Sequence, residues 1–181
     1  KRILDCVLVV LLLPVWLPLC GLLWVLAWIE TGSGCYVENR VGRDGQSFRC
    51  LKIRSMYKNT PRKCAAYKHF GDPRITPFGR ILRRTSLDEI PQLWCVLKGE
   101  MSLVGPRPVP ELELQRYGAQ RGAYLQMRPG LTGLWQVSGR NALSYEKRIA
   151  LDVRYRQTAS IGIDLRIMGI TLFEVFRGSG R

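Results

Sequence analysis

The sequence predicts an α+β fold, mostly helical. A bent N-terminal membrane helix over residues 1–30 joins one small domain over residues 31–181 that carries a short β-hairpin. Three observations lead there. From Val7 to Ile29, "VLVVLLLPVWLPLCGLLWVLAWI", no side chain is charged, and an apolar run of about 20 residues is long enough for a membrane helix. Residues 35–54, "CYVENRVGRDGQSFRCLKIR", read as two strands around an Asp44–Gly45 turn. Beyond residue 75, helix start and stop signals recur at short intervals. The 181 residues suffice for one modest core, and no repeat, low-complexity tract or flexible linker divides them.

The apolar segment is too long for the core of a signal peptide and lacks a small-residue cleavage pattern. Pro14 and Pro18 each remove a backbone donor and crowd the preceding turn, which bends a helix. Lys1 and Arg2 stand on one flank, and most of the net charge of +14 stands on the other. Positive residues stay cytoplasmic, so both flanks ask for the same face. A re-entrant hairpin, entering one leaflet and returning, satisfies that demand; a kinked straight span is the alternative. Trp24 and Trp28 suit an interfacial depth.

After the hairpin comes a basic, turn-rich segment to about residue 75. In "TPFGRILRR", Thr76 is the N-cap and Pro77 the first helical residue. A short helix follows from Pro91 to about Lys98, closed by Gly99. "MSLVGPRPVP" is expected to be irregular, because Pro106, Pro108 and Pro110 oppose both ladder and helix. Residues 110–126 read as helical and 128–140, "RPGLTGLWQVSGR", as a Gly-rich loop. Two more helices fit 143–157 and 160–177. The last is apolar round most of its circumference, with sparse charges at Asp164, Arg166, Glu174 and Arg177. It suits either core packing or an amphipathic helix lying in the bilayer interface.

The charge of +14 and pI of about 10.0 point to a polyanionic partner: nucleic acid, anionic lipid or a phosphorylated substrate. The six cysteines form no CxxC, and His69 is the single histidine. Metal-site spacing and a Ser-His-Asp arrangement are therefore improbable, and the thiols read as free in a reducing compartment. P-loop, GxGxxG and HExxH motifs are absent.

What remains are carboxylates among cations. In "RRTSLDEIPQLW", Asp88 and Glu89 sit just ahead of a helix beginning at Pro91, where the dipole, Arg83 and Arg84 favour their ionised forms. An ionised aspartate is a competent nucleophile toward phosphorus, and Mg²⁺ is held by one or two carboxylates together with substrate phosphates. The alternative is a capping box between Ser86 and Glu89, weakened because it puts Pro91 inside the helix. Lys52 and Arg54 end a strand-like run. Arg107 lies between two prolines, Arg128 opens "RPG" and Arg140 closes "SGR". Arginines on rigid loops suit bidentate phosphate binding. A membrane-tethered basic module binding anionic lipid or nucleic acid without catalysis would explain the charge and the anchor. It leaves the acids inside the cationic field unexplained.

"KRILD" before an apolar segment, "FRCLKIRSM", "FGRILRRTSLDEIPQLWCVLKGEMSLVGPRPVP", "RPGLTGLWQVSGRN" and "LDVRY" occur in that order. In these motifs the chain resembles the bacterial polyprenyl-phosphate glycosyl-1-phosphate transferases. These are the monotopic phosphoglycosyl transferases of the bacterial sugar transferase family. The resemblance runs from Lys1 to about Arg177. It implies transfer of a sugar-1-phosphate from a nucleotide sugar, with UDP-hexose the expected donor, to undecaprenyl phosphate. The nucleoside monophosphate is released, and polysaccharide or glycoconjugate assembly begins. By the same resemblance Asp88 is the nucleophile of a covalent phosphosugar intermediate, Glu89 assists, and the pair holds Mg²⁺. Lys52, Arg83, Arg107 and Arg140 bind phosphates, and the membrane helix breaks at Pro18. The implied location is the cytoplasmic face of the bacterial inner membrane, in contact with the phospholipid bilayer and with no nucleic-acid partner. Departures from the family pattern are Leu17 before Pro18, Gly34, Cys95 and a short stretch between Met56 and Ile75. None touches the acid pair.

Overall fold

The computed structural model describes residues 1–58 and 72–177. His69, Cys64 and most of the expected basic, turn-rich segment lie outside the described residues. The elements are α1 (Arg2–Thr31), β1 (Cys35–Val41), β2 (Ser47–Ile53), α2 (Pro77–Thr85), α3 (Gln92–Lys98), β3 (Ser102–Val104), α4 (Glu111–Leu114), α5 (Arg121–Leu125), β4 (Gly130–Thr132), α6 (Leu134–Val137), α7 (Tyr145–Thr158) and α8 (Ile161–Phe176), with short 3-10 turns between some of them.

Helix α1 is long and apolar enough to cross a membrane. It passes Pro14 and Pro18 as a single helical element, so the expected break at Pro18 is not a non-helical interruption. The prolines are one turn apart, so the donor lost at Pro18 orphans only the carbonyl of Pro14, four residues back. Its buried residues, Asp5, Val9, Trp16, Leu23 and Ala27, recur at intervals of four and seven and so form one stripe. Val9 and Trp16 pack on Phe48, Leu93, Val96 and Met101, and Leu23 and Ala27 on Ile53 and Leu82. The opposite face leaves Leu11, Val15 and Ile29 at least 66% exposed.

Both ends of α1 are tied to the same body. Arg2 donates to the carbonyls of Val96 and Leu97, and Asp5 accepts from the Ser102 hydroxyl at 2.7 Å. Lys1 pairs with Asp164 at 2.5 Å. Thirty residues away, the Glu30 carboxylate accepts from the Phe78 N–H at 3.1 Å, and Gly32 caps the helix in the left-handed region (φ 67°).

β1 and β2 pair antiparallel from Cys35↔Ile53 to Val41↔Ser47, the hairpin expected around Asp44–Gly45. Asp44 and Gly45 take positive φ at the turn (56° and 79°), the conformation that Asp-Gly favours. Thr76 caps α2 by accepting from the Gly79 N–H at 2.8 Å, with Pro77 as first residue. α3 ends at Gly99 in the left-handed region but starts at Gln92, with Pro91 as its N-cap.

Three expectations need correction. "MSLVGPRPVP" is not irregular throughout: Ser102–Val104 forms β3, paired parallel to β4 through Ser102↔Gly130 and Val104↔Thr132. The ladder stops at Gly105, before the first proline removes a donor. Residues 128–140 are likewise not all loop, since they supply β4 and α6. A side chain at Gly130 would run into the Gly105 backbone, so this pairing needs glycine on both strands. Residues 110–126 are not one helix. Gly118 (φ 50°, ψ −126°) interrupts them, leaving α4, a 3-10 turn and α5. Helix α8 packs one side into the core, with Asp164 and Ile167 buried, while Ile161, Leu165, Leu172 and Phe173 are more than half exposed.

Candidate active site

Four segments meet at the acid pair. The last turn of α2 presents Arg83, and Ser86 then takes a left-handed conformation (φ 58°) that ends the helix. The chain reverses into a 3-10 turn, Leu87–Glu89, before α3 begins. Asp88 and Glu89 therefore lie on a tight turn between two helices. The capping-box alternative does not form, because the Ser86 side chain makes no cap hydrogen bond.

Glu89 is the hub. Its Oε1 accepts from Lys52 Nζ at 2.5 Å and from Arg107 Nη2 at 3.1 Å. Lys52 comes from β2. Arg107 comes from the proline loop, whose geometry is fixed from both sides. The Pro106 carbonyl accepts from the Gly130 N–H at 2.8 Å and the Pro108 carbonyl from Arg40 at 2.9 Å. The Val109 carbonyl accepts from the Val41 N–H at 2.9 Å, and the Val109 N–H donates to the Tyr124 hydroxyl. Burial works against charge on Glu89, but Arg107 and Lys52 outweigh it and hold its carboxyl well below the usual range.

Asp88 differs in every respect. It is 9% exposed, and among the described residues its carboxylate has neither a hydrogen bond nor an ion pair. Burial raises its carboxyl to about 6; Glu89 adds to the rise, while Lys52, Arg83 and Arg107 oppose it. Neighbouring carboxylates with opposite displacements are the pattern of a site that gives two acids two tasks. Arg83 is half-buried and directed by a 2.9 Å bond from its Nε to the Ser55 hydroxyl.

Asp88, Glu89, Lys52, Arg83, Arg107 and Arg140 all line one open cavity of about 1410 Å³. That exceeds the roughly 300–1,000 Å³ of a pocket for one small ligand. Part of its lining is cationic and part apolar, the latter including Leu8 and Leu12 of α1 and Leu165, Met168 and Leu172 of α8. Arg140 takes a positive φ (50°) that few non-glycine residues adopt, and its Nε donates to the Gln136 carbonyl at 3.1 Å. Arg128 is placed elsewhere: its Nε donates to the Gly99 carbonyl at 2.9 Å, closing the end of α3, and it does not line this cavity.

Ser55 and Arg40 were not foreseen from the sequence. Ser55 lies two residues past β2 and is placed by the fold alone, while the Val41↔Val109 bridge next to Arg40 puts that residue beside the proline loop. As for a metal, the described residues contain no group of three or more potential His, Cys, Asp or Glu ligands. The acid pair alone fits Mg²⁺, which takes one or two carboxylates and completes its shell with phosphates and water. Asp88 is unpaired, and Glu89 keeps Oε2 without a partner among the described residues.

The structure thus clamps an apolar helix along its length to a body whose cavity gathers two carboxylates and several cations. The chain belongs to the Bacterial sugar transferase family, which it matches over residues 1–178. It is 44% identical over 199 residues to the exopolysaccharide production protein ExoY of Sinorhizobium fredii, an alignment covering 99% of this chain and 87% of that one. It is 42% identical over 195 residues to the UDP-galactose-lipid carrier transferase of Erwinia amylovora and 41% identical over 195 residues to the undecaprenyl-phosphate galactose phosphotransferase of Salmonella typhimurium. Both alignments take in 99% of this chain but 41% of the relative, so the chain spans less than half their length.

Proposed function

We propose that this chain transfers a sugar-1-phosphate from a UDP-sugar to undecaprenyl phosphate, releasing UMP, through a phosphosugar carried on Asp88. The observation that carries the reading is the isolation of Asp88: a buried carboxylate, unpaired among the described residues, beside an acid already neutralised by Lys52 and Arg107. The names of the Erwinia and Salmonella relatives support the donor and acceptor classes.

An Asp88 carboxylate oxygen attacks the sugar-linked phosphorus. The bond from that phosphorus to the oxygen bridging to the nucleotide breaks, and UMP leaves with the bond's electron pair. An oxygen of the lipid phosphate then attacks the same phosphorus, and the Asp88 carboxylate is expelled unchanged. Lys52 and Arg107, oriented by Glu89, and Arg83, oriented by Ser55, stabilise charge on the phosphoryl oxygens. Asp88 and Glu89 would hold Mg²⁺, which supplies Lewis-acid stabilisation of the departing phosphate. The test is UMP release from UDP-sugars in the presence of undecaprenyl phosphate, with and without Mg²⁺. Release dependent on the metal is expected; none from any UDP-sugar would overturn the reading.

Attack requires ionised Asp88. With its carboxyl raised to about 6, kcat/KM should fall about tenfold per pH unit below that value and level off above it. A profile flat down to pH 4.5 would contradict this.

For the membrane segment we infer a re-entrant arrangement at the cytoplasmic face of the inner membrane. The support is that Arg2 and Glu30, at opposite ends of α1, both bind polar groups of one body. A straight span would have to break one set. In a background freed of native thiols, Ile3→Cys and Ser33→Cys should both react with an impermeant maleimide in sealed inside-out vesicles. Labelling of only one would indicate a span.

A further inference from the structure

Among the arginines that line the cavity is Arg148, to which neither the sequence motifs nor the acid pair gives a task. Arg148 lies on the inward stripe of α7, between Tyr145 and Asp152. Its guanidinium covers the buried Trp135 indole, with Cζ 4.7 Å from the ring centroid. Its Nε is buried with no acceptor among the described residues, so any ligand must be met by the terminal nitrogens. Stacking on an aromatic face fixes the guanidinium plane in advance.

Arg140 is moored next door. Arg148 rests on Trp135, and Arg140 donates to the carbonyl of Gln136, the following residue of α6. One helical turn thus carries two guanidinium groups on the wall of the same cavity. Among the described residues neither has a carboxylate within ion-pair distance. Lys52 and Arg107, by contrast, share Glu89. Two half-buried cations that line one cavity without counter-ions among the described residues raise its positive potential, and a dianion bound there relieves it. A neutral sugar or base would not.

We infer that Arg148 and Arg140 form a second phosphate clamp, separate from the cations at Asp88, which binds the phosphate of the departing nucleotide. The inference rests on the donor reading above. It divides the cationic wall in two: the cations around the acid pair attend the phosphorus that is transferred, and the α6 pair attends the phosphate that leaves. Arg148 is then a substrate-binding residue of the first half-reaction only, since the nucleotide has gone before the lipid phosphate attacks.

The experiment is a titration of the full chain with UMP and, separately, with uridine, comparing the unaltered protein with Arg148→Met and Arg148→Lys. Loss of a fork-like arginine–phosphate contact should weaken UMP binding roughly tenfold or more in Arg148→Met, with partial recovery in Arg148→Lys, while uridine binding stays unchanged. Both variants should also slow UMP release from donor alone, yet leave attack by undecaprenyl phosphate on preformed adduct as fast as in the unaltered chain. Equal UMP affinity in all three proteins, or an equal loss for uridine, would overturn the clamp. Equal slowing of both half-reactions would do the same. If the unaltered chain binds no UMP, the donor reading falls, and the clamp with it.

Discussion

Asp88→Asn should abolish sugar-phosphate transfer and at the same time make the protein more stable at neutral pH. The amide keeps the shape of the side chain but cannot form an acyl phosphate, so turnover should drop by at least about 10³-fold. The stability effect has the opposite sign because Asp88 is buried without a partner. Its carboxyl, ordinarily near 3.8, is raised to about 6, so the folded chain holds this proton more tightly than the unfolded chain does. The resulting stabilisation is complete below about pH 4 and is lost as pH rises through about 6. The full displacement corresponds to about 3 kcal/mol, and relaxation around the charge reduces it, so the amide should gain about 1–3 kcal/mol at pH 7.5 and almost nothing at pH 4. Thermal unfolding of both proteins at the two pH values checks this. An inactive variant less stable at pH 7.5 would mean that Asp88 has a cationic partner after all.

Glu89→Gln should destabilise the protein and lower activity by at least about 10²-fold. Glu89 is the shared counter-ion of Lys52 and Arg107, and an amide leaves two cations facing each other. Breaking a buried pair from one side costs about 3–5 kcal/mol when the charges are fully buried. Here the side chains of Glu89 and Arg107 are 17% and 38% exposed, so solvent screening brings the expected loss to about 1–3 kcal/mol. The pH dependence runs opposite to that of Asp88. The Glu89 carboxyl is held below its ordinary 4.5, so its contribution is present above that value and disappears as pH falls through its lower folded value. The gap between the two proteins should close in acid. Adding Lys52→Met to Glu89→Gln should recover part of the stability, because one of the two stranded charges is then gone. No recovery would show that Glu89 acts through something other than its two cations.

The local signals in the sequence translated directly into structure. Thr76-Pro77 starts α2, Gly99 stops α3, and Asp44-Gly45 turns the hairpin, because caps and turns are set by a few adjacent residues. The β3–β4 pair was hidden, since its partners are three-residue strands far apart in the chain and bounded by prolines and glycines that argue locally for a loop. Gly118 and Gly122 both lie in the stretch that reads as helical, and only the dihedral angles of Gly118 reveal the break. The acid pair and most of its cations were legible as residues. Their division of labour was not. Glu89 acquires its partners from positions 52 and 107, and Asp88 is set apart only by which contacts it lacks once the chain has folded. Arg128 shows the converse: a rigid "RPG" setting marks an ordered arginine, but its partner is the carbonyl that ends α3. Arg148 was not singled out in the sequence, because only the fold sets it against the Trp135 ring.

The most direct test of the central claim uses donor without acceptor. Protein mixed with a UDP-sugar and Mg²⁺ is quenched in acid, digested and weighed by mass spectrometry. A peptide carrying one added sugar phosphate on Asp88, removed when undecaprenyl phosphate is supplied before the quench, is the predicted result. A chain that converts donor and lipid to product while that peptide always keeps its unmodified mass would contradict it.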